Sequence, residues 1–208
     1  MSLHIDNVVT SGLFKLDGGE WEVDNNVWVV GDATEVYIID AAHDAQAIAR
    51  AVGDRHVKGI IATHGHNDHI DVAPELSTLV DAPVYLHPGD DMLWREANPD
   101  FTFTPVEDGQ VFDIAGTHLK VLSTPGHSPG SIVLYAQEAE ELFSGDTLFQ
   151  GGPGATGRSY SSFDTIIESL QKRVLDLPSQ TIVRTGHGDH TTIGQEAPHL
   201  EEWIRRGY

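Results

Sequence analysis

The architecture of this chain can be inferred from one stretch, Thr63-His64-Gly65-His66-Asn67-Asp68-His69. The apolar run before it, residues 57–62, predicts a buried strand, and residues 70–76 after it predict the start of a helix. Three histidines and one aspartate therefore lie within six residues at the carboxyl end of a strand. Imidazole and carboxylate are ligands that borderline divalent metals prefer, so the pattern predicts a metal site. A solvated polar loop is the alternative, but it gives no reason for the spacing His-x-His-x-Asp-His.

The composition is that of an ordinary globular protein with an unusually acidic balance. Hydrophobic residues make up 39% and charged residues 21% of the chain. Its 208 residues are enough for one large domain, and we expect residues 1–208 to form it. The formal net charge of −20 repels phosphate backbones and anionic membranes. Neither nucleic acid nor a membrane is therefore an expected partner.

The chain contains no cysteine, which excludes disulfides, Cys-ligated zinc and thiol nucleophiles. Residues 1–7 lack a basic segment followed by an apolar one, so no secretory signal peptide is predicted. No apolar run approaches the roughly 18 residues that a membrane span needs. We expect a cytoplasmic protein, and the sequence leaves its oligomeric state unknown.

Strands that end at metal-ligand residues recur along the chain. His127, Asp146 and His187 each follow a predicted strand and lie beside glycine or proline. Glycine at such a place lets the backbone approach a metal ion closely. The predicted helices are numerous enough to cover the faces of a sheet, which favours one layered α/β domain. Residues 24–26, Asp-Asn-Asn, are predicted to form a turn between two early strands.

Seven candidate ligands are available in total, five histidines and two aspartates. They are His64, His66, Asp68, His69, His127, Asp146 and His187. One zinc ion needs three or four ligands, so seven indicate two metal ions about 3.5–4 Å apart. Histidine and aspartate accept zinc, iron and manganese alike, and zinc is the ion we expect.

This set of residues resembles the motif of the metallo-β-lactamase superfamily, position for position. The resemblance extends from Asp40, at the end of its predicted strand, to the region of His187. It implies an α/β fold of the αββα sandwich type, with a dinuclear metal site at one edge, between the two sheets.

The resemblance also implies a role for each residue. His64, His66 and His127 would hold the first ion, Asp68, His69 and His187 the second, and Asp146 would bridge them. A hydroxide between the two ions would be the nucleophile, and Asp68 would pass its proton to the leaving group. Asp40 would orient a histidine ligand from behind.

Within the superfamily, the chain is most similar to the hydroxyacylglutathione hydrolases (glyoxalase II) and their short bacterial relatives. The similarity rests on residues 124–131, TPGHSPGS, and residues 143–149, FSGDTLF. It implies hydrolysis of an acyl thioester of a low-mass thiol. A leaving thiol with a pKa near 8.5 needs little acid assistance. The absence of cysteine excludes the Cys-ligated lactamases, and the remaining lactamase subclass is not expected to contain the bridging Asp146.

Three other functions stay open at this point. Lactonases of the same fold use the same seven ligands on a cyclic ester. Persulfide dioxygenases have a similar motif but bind one iron and consume oxygen. A non-catalytic, metal-dependent binding module belongs to a different class, and nothing in such a module would require both metal ions.

A few further residues carry weaker predictions. Arg158 and Tyr160, in the glycine-rich loop after Asp146, are candidates for substrate contact, and the alternative is that they only shape an exposed loop. His43, like the other histidines without ligand-like spacing, is expected to be a surface or capping residue. Trp21 and the other tryptophans are expected to be core or packing residues rather than a substrate cage.

Overall fold

The computed structural model describes residues 3–208, and within them two six-stranded β-sheets form the framework. The first sheet contains β1 (His4–Leu16), β2 (Gly19–Gly31), β3 (Glu35–Ile39), β4 (His56–Ile61), β5 (Val84–Leu86) and β6 (Thr104–Pro105), in that spatial order. The strands β1 to β3 pair antiparallel as successive hairpins, whereas β3 to β6 pair parallel. Parallel neighbours need crossover connections, and helices occur in all three of these.

The second sheet is built from the later part of the chain. It contains β7 (Val111–Ile114), β8 (Thr117–Ser123), β9 (Ile132–Ala136), β10 (Glu141–Gly145), β13 (Ile182–Thr185) and β14 (Thr191–Thr192), in the spatial order β14-β13-β10-β9-β8-β7. Only β10 and β13 pair parallel. A small hairpin of β11 (Leu148–Phe149) and β12 (Gly152–Pro153) follows β10.

Short helices connect and cover the strands. They are α1 (Ala45–Val52), α2 (Asn67–Ile70), α3 (Ala73–Val80), α4 (Asp91–Ala97), α5 (Phe163–Ser169), α6 (Ile193–Glu196) and α7 (Leu200–Arg206). The helix α5 continues as a π-helical turn over Leu170–Val174, and 3₁₀ turns occur at Pro88–Asp90, Gln137–Ala139 and Ala197–His199. None of the helices within residues 3–208 is both long and apolar enough to cross a membrane.

The alternation of side chains along the strands explains the layered architecture. In β2, Val27 and Val29 pack under α1 and α3, whereas Trp28 and Val30 point to the opposite face and into the space between the sheets. The outer face of the second sheet packs against α5 and α7, where Trp203 is fully buried. Three apolar layers therefore separate helix, sheet, sheet and helix. This arrangement confirms the predicted αββα sandwich.

The predicted turn at residues 24–26 is wrong, because β2 continues unbroken from Gly19 to Gly31. Asparagine favours turns when its side chain bonds its own backbone. Here the backbone N–H of Asn26 donates to Gly186 O at 2.8 Å, and its side-chain amide donates to the carbonyls of Thr185 and Gly188. These partners lie at the end of β13 or just after it, more than 150 residues away along the chain, so local sequence did not indicate them.

The candidate ligands gather because the strands that carry them end at the same edge of the sandwich. The segment with His64, His66 and Asp68 follows β4, and Asp40 follows the parallel neighbour β3. In the second sheet, Asp146 follows β10 at that edge. The backbone N–H of Ile132 donates to Thr63 O at 2.8 Å and joins the two sheets beside the site.

Candidate metal centre

Three histidines form the first group of candidate ligands, which we call the three-histidine group: His64, His66 and His127. The Nδ1 atom of His66 lies 3.0 Å from Nε2 of His64 and 3.0 Å from Nε2 of His127. Ligand nitrogens around a tetrahedral zinc ion, each about 2.0–2.1 Å from the metal, lie about 3.3 Å from one another. All three side chains are buried. Their converging nitrogens have the spacing of a metal site.

Asp68, His69 and His187 form the second group. The Nε2 atoms of His69 and His187 are 3.2 Å apart, and Oδ2 of Asp68 lies 3.5 Å from the former and 3.3 Å from the latter. Asp68 and His69 are carried on α2, which begins directly after the three-histidine segment. The loop with His64 and His66 and the helical turn that follows it therefore supply candidate ligands to both groups.

Asp146 lies between the two groups. Its Oδ1 atom is 3.3 Å from Nε2 of His69, and its Oδ2 atom is 3.5 Å from Nε2 of His127 and 3.4 Å from Nε2 of His187. The Asp146 side chain can occupy this position only because residue 186 is a glycine, since a Cβ atom there would lie 2.2 Å from Oδ1 of Asp146. One carboxylate therefore reaches histidines of both groups.

Three of the imidazoles are fixed at the ring nitrogen that points away from the centre. The Nδ1 atoms of His69, His127 and His187 lie 2.8 Å from Asp40 Oδ2, 2.8 Å from Ala155 O and 2.7 Å from Asp24 O, respectively. Carboxylate and carbonyl oxygens only accept, so each Nδ1 must carry a proton and donate. In the neutral ring, the lone pair on Nε2 is then left free to bind a metal ion.

Two members of the three-histidine group, His64 and His66, are uncharged without a metal ion. Burial lowers the pKa of His64 well below its usual 6.5, and the neighbouring His69 and His66 lower it further. Burial, together with His127, lowers the pKa of His66 to about 3. Crowded imidazoles in a dry environment disfavour the charged form. These rings are therefore ready to coordinate without first losing a proton.

The second group has the opposite electrostatics. Burial opposes a charge on His69, but the carboxylates of Asp146 and Asp68 raise its pKa well above 6.5. In His187, Asp146 likewise outweighs burial and raises the pKa to about 10. Burial of Asp68 is in turn outweighed by His69, so the pKa of Asp68 falls to about 2. Without metal, His69 and His187 are therefore both protonated, and they lie beside the ionised carboxylates of Asp68 and Asp146.

The donor set fits divalent metal ions. Oδ1 of Asp68 and Oδ1 of Asp146 are buried and accept no hydrogen bond. Buried oxygens of ionised carboxylates are strongly destabilising unless a cation or a donor faces them. Three sets of three side chains bring their ligand atoms within 4.8 Å of one another: His64, His66 and His127; His64, His69 and Asp146; and Asp68, His69 and His187. All seven predicted ligands belong to one or more of these sets.

A cavity of about 310 Å³ opens beside this centre. It is lined by Phe14, Leu16, Trp21, Val23, His66, Asp68, His127, Asp146, Phe149, Ala155, Arg158, Ser159, Ser161 and His187. Trp21, predicted to be a core or packing residue, lies outside the core, since it is 39% exposed and packs against Phe14 as part of this wall. The β1–β2 hairpin extends beyond the sandwich, so its inward side chains face the cavity rather than a sheet.

The two predicted substrate-contact residues differ in position. The guanidinium of Arg158 lines the cavity and lies 3.8 Å from the ring centre of Trp21, a cation–π contact that holds it at the mouth. Its neighbour Ser159 donates its backbone N–H to Asp17 at the tip of the hairpin, 3.0 Å away. Tyr160 is not among the lining residues, and about half of its side chain is exposed.

Comparison with known proteins identifies the family. Residues 21–187 match the family described as the metallo-beta-lactamase superfamily. The chain belongs to this superfamily. The match covers the whole candidate centre from the hairpin to His187, and it confirms the resemblance inferred from the ligand spacing. Members of the superfamily are generally hydrolases.

Three similar proteins within this superfamily illustrate its range. Hydroxyacylglutathione hydrolase GloC of Haemophilus influenzae is 30% identical over 181 residues, which cover 79% of this chain and 85% of that protein. A crystal structure of TTHA1623 in a di-iron-bound form has a TM-score of 0.76 at 31% identity, covering 84% of this chain and 93% of that chain. The B3 metallo-beta-lactamase BLEG-1 has a TM-score of 0.74 at 29% identity, covering 92% and 98%.

In this superfamily member, Asp40 contacts both the ligand loop and the second group. Its Oδ1 atom accepts from the backbone N–H of Thr63 at 2.7 Å, and its Oδ2 atom accepts from Nδ1 of His69. The Asp40 backbone has a φ of +64°, a value that residues other than glycine rarely adopt. This geometry lets one carboxylate hold both the loop and a histidine ring.

Two residues that sequence patterns did not indicate support Asp68. The buried Asn25 donates its amide to Oδ2 of Asp68 at 3.0 Å, and its own oxygen lies 3.0 Å from Nε2 of His43. The prediction of His43 as a surface or capping residue is wrong, since its side chain is 4% exposed and its Nδ1 atom lies 2.8 Å from Asp71. The one sequence feature that could have indicated a partner for His43 was Asp71, a carboxylate two residues after His69.

Proposed function

We propose that this protein is a dinuclear metal-dependent hydrolase that cleaves an acyl thioester of a low-mass thiol. The observation that carries the proposal is the position of Asp146, whose carboxylate lies within 3.5 Å of histidine nitrogens from both ligand groups. A site for one ion would not require a carboxylate between two complete sets. The similarity to a hydroxyacylglutathione hydrolase supports thioesters as the substrate class.

The two groups define which residues would hold the metal ions. The three-histidine group would hold the first ion, and Asp68, His69 and His187 would hold the second, with Asp146 shared between them. Zinc is the proposed ion, and iron is the alternative that the di-iron form of TTHA1623 favours.

Bound ions would polarise the thioester carbonyl and lower the pKa of a water molecule between them. Water adds to the acyl carbon and the carbon–sulfur bond breaks, so that the products are a carboxylate, a thiol and one proton released to solvent. Asp68 is placed to receive the proton of the attacking water, because its Oδ1 atom is unpaired while Asn25 holds Oδ2. It would return this proton to the departing sulfur, whose pKa near 8.5 requires little assistance.

The cavity would bind the substrate on both sides of the scissile bond. Phe14, Trp21 and Phe149 provide an apolar wall that would contact the acyl group or the carbon chain of the thiol. Among the described lining residues, Arg158 carries the one guanidinium or ammonium group. In a chain of net charge −20, that cation is the available partner for a carboxylate on the substrate.

Arg158→Met tests this contact, because methionine removes the charge and keeps an apolar stem beside Trp21. We expect the KM for a carboxylate-bearing thioester to rise about tenfold, a loss of about 1.4 kcal/mol, with kcat unchanged. For a matched thioester without the carboxylate, KM should stay the same. Arg95→Met, which removes a guanidinium from a side chain 72% exposed on α4, is the control. Equal changes for both substrates would contradict the assignment.

The opposite electrostatics of the two groups predict proton release on metal binding. His187, with a pKa of about 10, and His69 are protonated near neutral pH, whereas His64 and His66 are not. Ligands must be deprotonated, so filling the second group should release about two protons, and filling the first should release none from His64 or His66. Affinity of the second group should therefore rise with pH up to about 10.

Zinc titration calorimetry in two buffers of different ionisation enthalpy measures these protons. The same pKa shift has a stability consequence with a fixed sign. Because the folded pKa of His187 lies above 6.5, its contribution to the metal-free fold is full below pH 6.5 and disappears as the pH rises toward 10. Buffer-independent heats for both ions would contradict the prediction.

A substrate panel tests the proposed reaction. The metal-loaded protein is given acyl thioesters of several low-mass thiols, a lactone, a β-lactam and a persulfide, with free thiol and dissolved oxygen followed together. Thiol release without oxygen uptake supports the proposal, and the ranking identifies the carrier. Hydrolysis of the lactone alone would indicate a lactonase instead of a thioesterase. Hydrolysis of the β-lactam alone would indicate a β-lactamase, the activity named for BLEG-1. Oxygen uptake with a persulfide would instead indicate a mononuclear iron dioxygenase.

A further inference from the structure

We propose that Asp90 is a positioning residue for the three-histidine group, fixing the two loops that carry His64, His66 and His127 relative to each other. Asp90 lies at the end of the 3₁₀ turn Pro88–Asp90 and is fully buried. The inference rests on the proposed metal centre, but it concerns a residue outside the ligand set.

The Asp90 carboxylate accepts hydrogen bonds from both loops. Its Oδ2 atom accepts from the backbone N–H of Gly65 at 2.7 Å and from the hydroxyl of Ser128 at 2.6 Å. Its Oδ1 atom accepts from the backbone N–H of Gly130 at 2.6 Å. Gly65 lies between the ligands His64 and His66, while Ser128 and Gly130 directly follow His127. A single side chain therefore bridges the two segments.

The contact is made by backbone that cannot carry a side chain. A Cβ atom on Gly65 would lie 2.8 Å from Cβ of Asp90, and one on Gly130 would lie 2.7 Å from Cγ of Asp90. Real Cβ contacts are not this short, so both positions require glycine for the loops to reach the carboxylate. The backbone of both loops therefore approaches Asp90 more closely than any residue with a side chain would allow.

The three donors around Asp90 are all neutral groups, and burial raises the pKa of its carboxyl. A buried carboxylate without a paired cation is destabilising, even when hydrogen bonds offset part of the desolvation. Both oxygens are needed here, because they hold N–H and O–H groups from two different loops. Asparagine offers one accepting oxygen and an amide that donates, so it leaves at least one of the three donors unpaired.

The effect on metal binding follows from the geometry. The Gly65 peptide joins two ligands, so a shift of that peptide moves His64 and His66 together. His127 would shift separately with the Ser128–Gly130 segment. The second group lies on α2 and after β13, and within residues 3–208 the Asp90 carboxylate accepts no hydrogen bond from Asp68, His69 or His187. Loss of the Asp90 contacts should therefore weaken the three-histidine group selectively.

The test compares Asp90→Asn in two backgrounds with Zn²⁺ alone as the probe and a chromophoric chelator as competitor. His187→Ala leaves the three-histidine group as the complete set, and His66→Ala leaves the second group. We expect Asp90→Asn to lower zinc affinity at least about tenfold in the first background and by less than about threefold in the second. The Co²⁺ absorption spectrum should likewise change in the first background only.

Glu196→Gln is the matched control, since Glu196 is also a buried carboxylate that accepts from a backbone N–H and a hydroxyl, those of Gly151 and Thr191. It should change neither affinity. If Asp90→Asn does not fold, Ser128→Ala removes one of the three donors and should give a smaller loss with the same selectivity. Equal losses in both backgrounds, or no loss in the first, would overturn the inference.

The outcome is separable from the proposed reaction. A wild-type protein that binds two zinc ions but releases no thiol would refute the thioesterase and leave the role of Asp90 to be decided by the affinities. A wild-type protein that binds no zinc would refute both.

Discussion

Asp146→Asn is expected to abolish hydrolysis while the fold is retained. Asparagine has the same shape, but it replaces one carboxylate oxygen by an amide that donates, and it removes the negative charge shared by both ligand groups. In the wild type, the carboxylate oxygens of Asp146 lie 3.3–3.5 Å from nitrogens of His69, His127 and His187, so no other side chain can substitute for this carboxylate. We expect kcat/KM to fall at least about a thousandfold, which corresponds to about 4 kcal/mol of barrier.

Metal analysis and circular dichroism complete this experiment. Zinc content should fall from two ions per chain to one or none, with the far-ultraviolet spectrum unchanged. Asp113→Asn is the control, because Asp113 lies on β7 with a side chain 77% exposed and should retain full activity. Wild-type activity in Asp146→Asn, measured on metal-free protein reloaded with zinc, would contradict the two-metal mechanism.

Removal of the metal ions is expected to lower stability more than any single surface substitution. An ion that binds only the folded state at a concentration of about 1,000 times its Kd contributes about 4 kcal/mol per site. In a chain of this size, each kcal/mol shifts the melting temperature by about 2–4 °C, so one site accounts for about 8–16 °C. Differential scanning calorimetry with and without chelator measures this difference.

The same scan on Asp146→Asn provides its control. Because that variant should hold at most one ion, the chelator should lower its melting temperature by at most half of the wild-type shift. An equal shift in both proteins, or none in the wild type, would mean that the ligand groups do not bind metal as assigned.

The convergence of the seven candidate side chains was predictable because its information is local. His-x-His-x-Asp-His occupies one loop, and the other candidates each follow a strand beside a glycine or proline, so the pattern indicated where seven side chains would meet. The comparisons and the structure confirm the superfamily and the αββα sandwich. The single domain, the cytoplasmic location and the absence of nucleic acid or membrane partners stay predictions.

The supporting residues were not predictable because their partners are distant in sequence. Asn25 bonds Asp68 43 residues later, and Asp90 bonds Gly130 40 residues later. Asparagine and aspartate have strong local preferences for turns and caps, which hide such long-range roles. The position of Trp21 in the cavity wall was not predictable, because alternating side chains do not reveal that the β1–β2 hairpin extends past the paired neighbour β3. The fold and the candidate ligands could therefore be predicted from sequence, whereas the residues that support and surround them could not.

The most direct test of the central claim is thiol release from an acyl thioester as zinc is added stepwise to the metal-free protein. The two ligand groups predict that activity stays low through the first equivalent and saturates at about two equivalents per chain. Saturation at one equivalent would contradict the dinuclear mechanism, and no thiol release at any zinc level would contradict the proposed thioester hydrolysis.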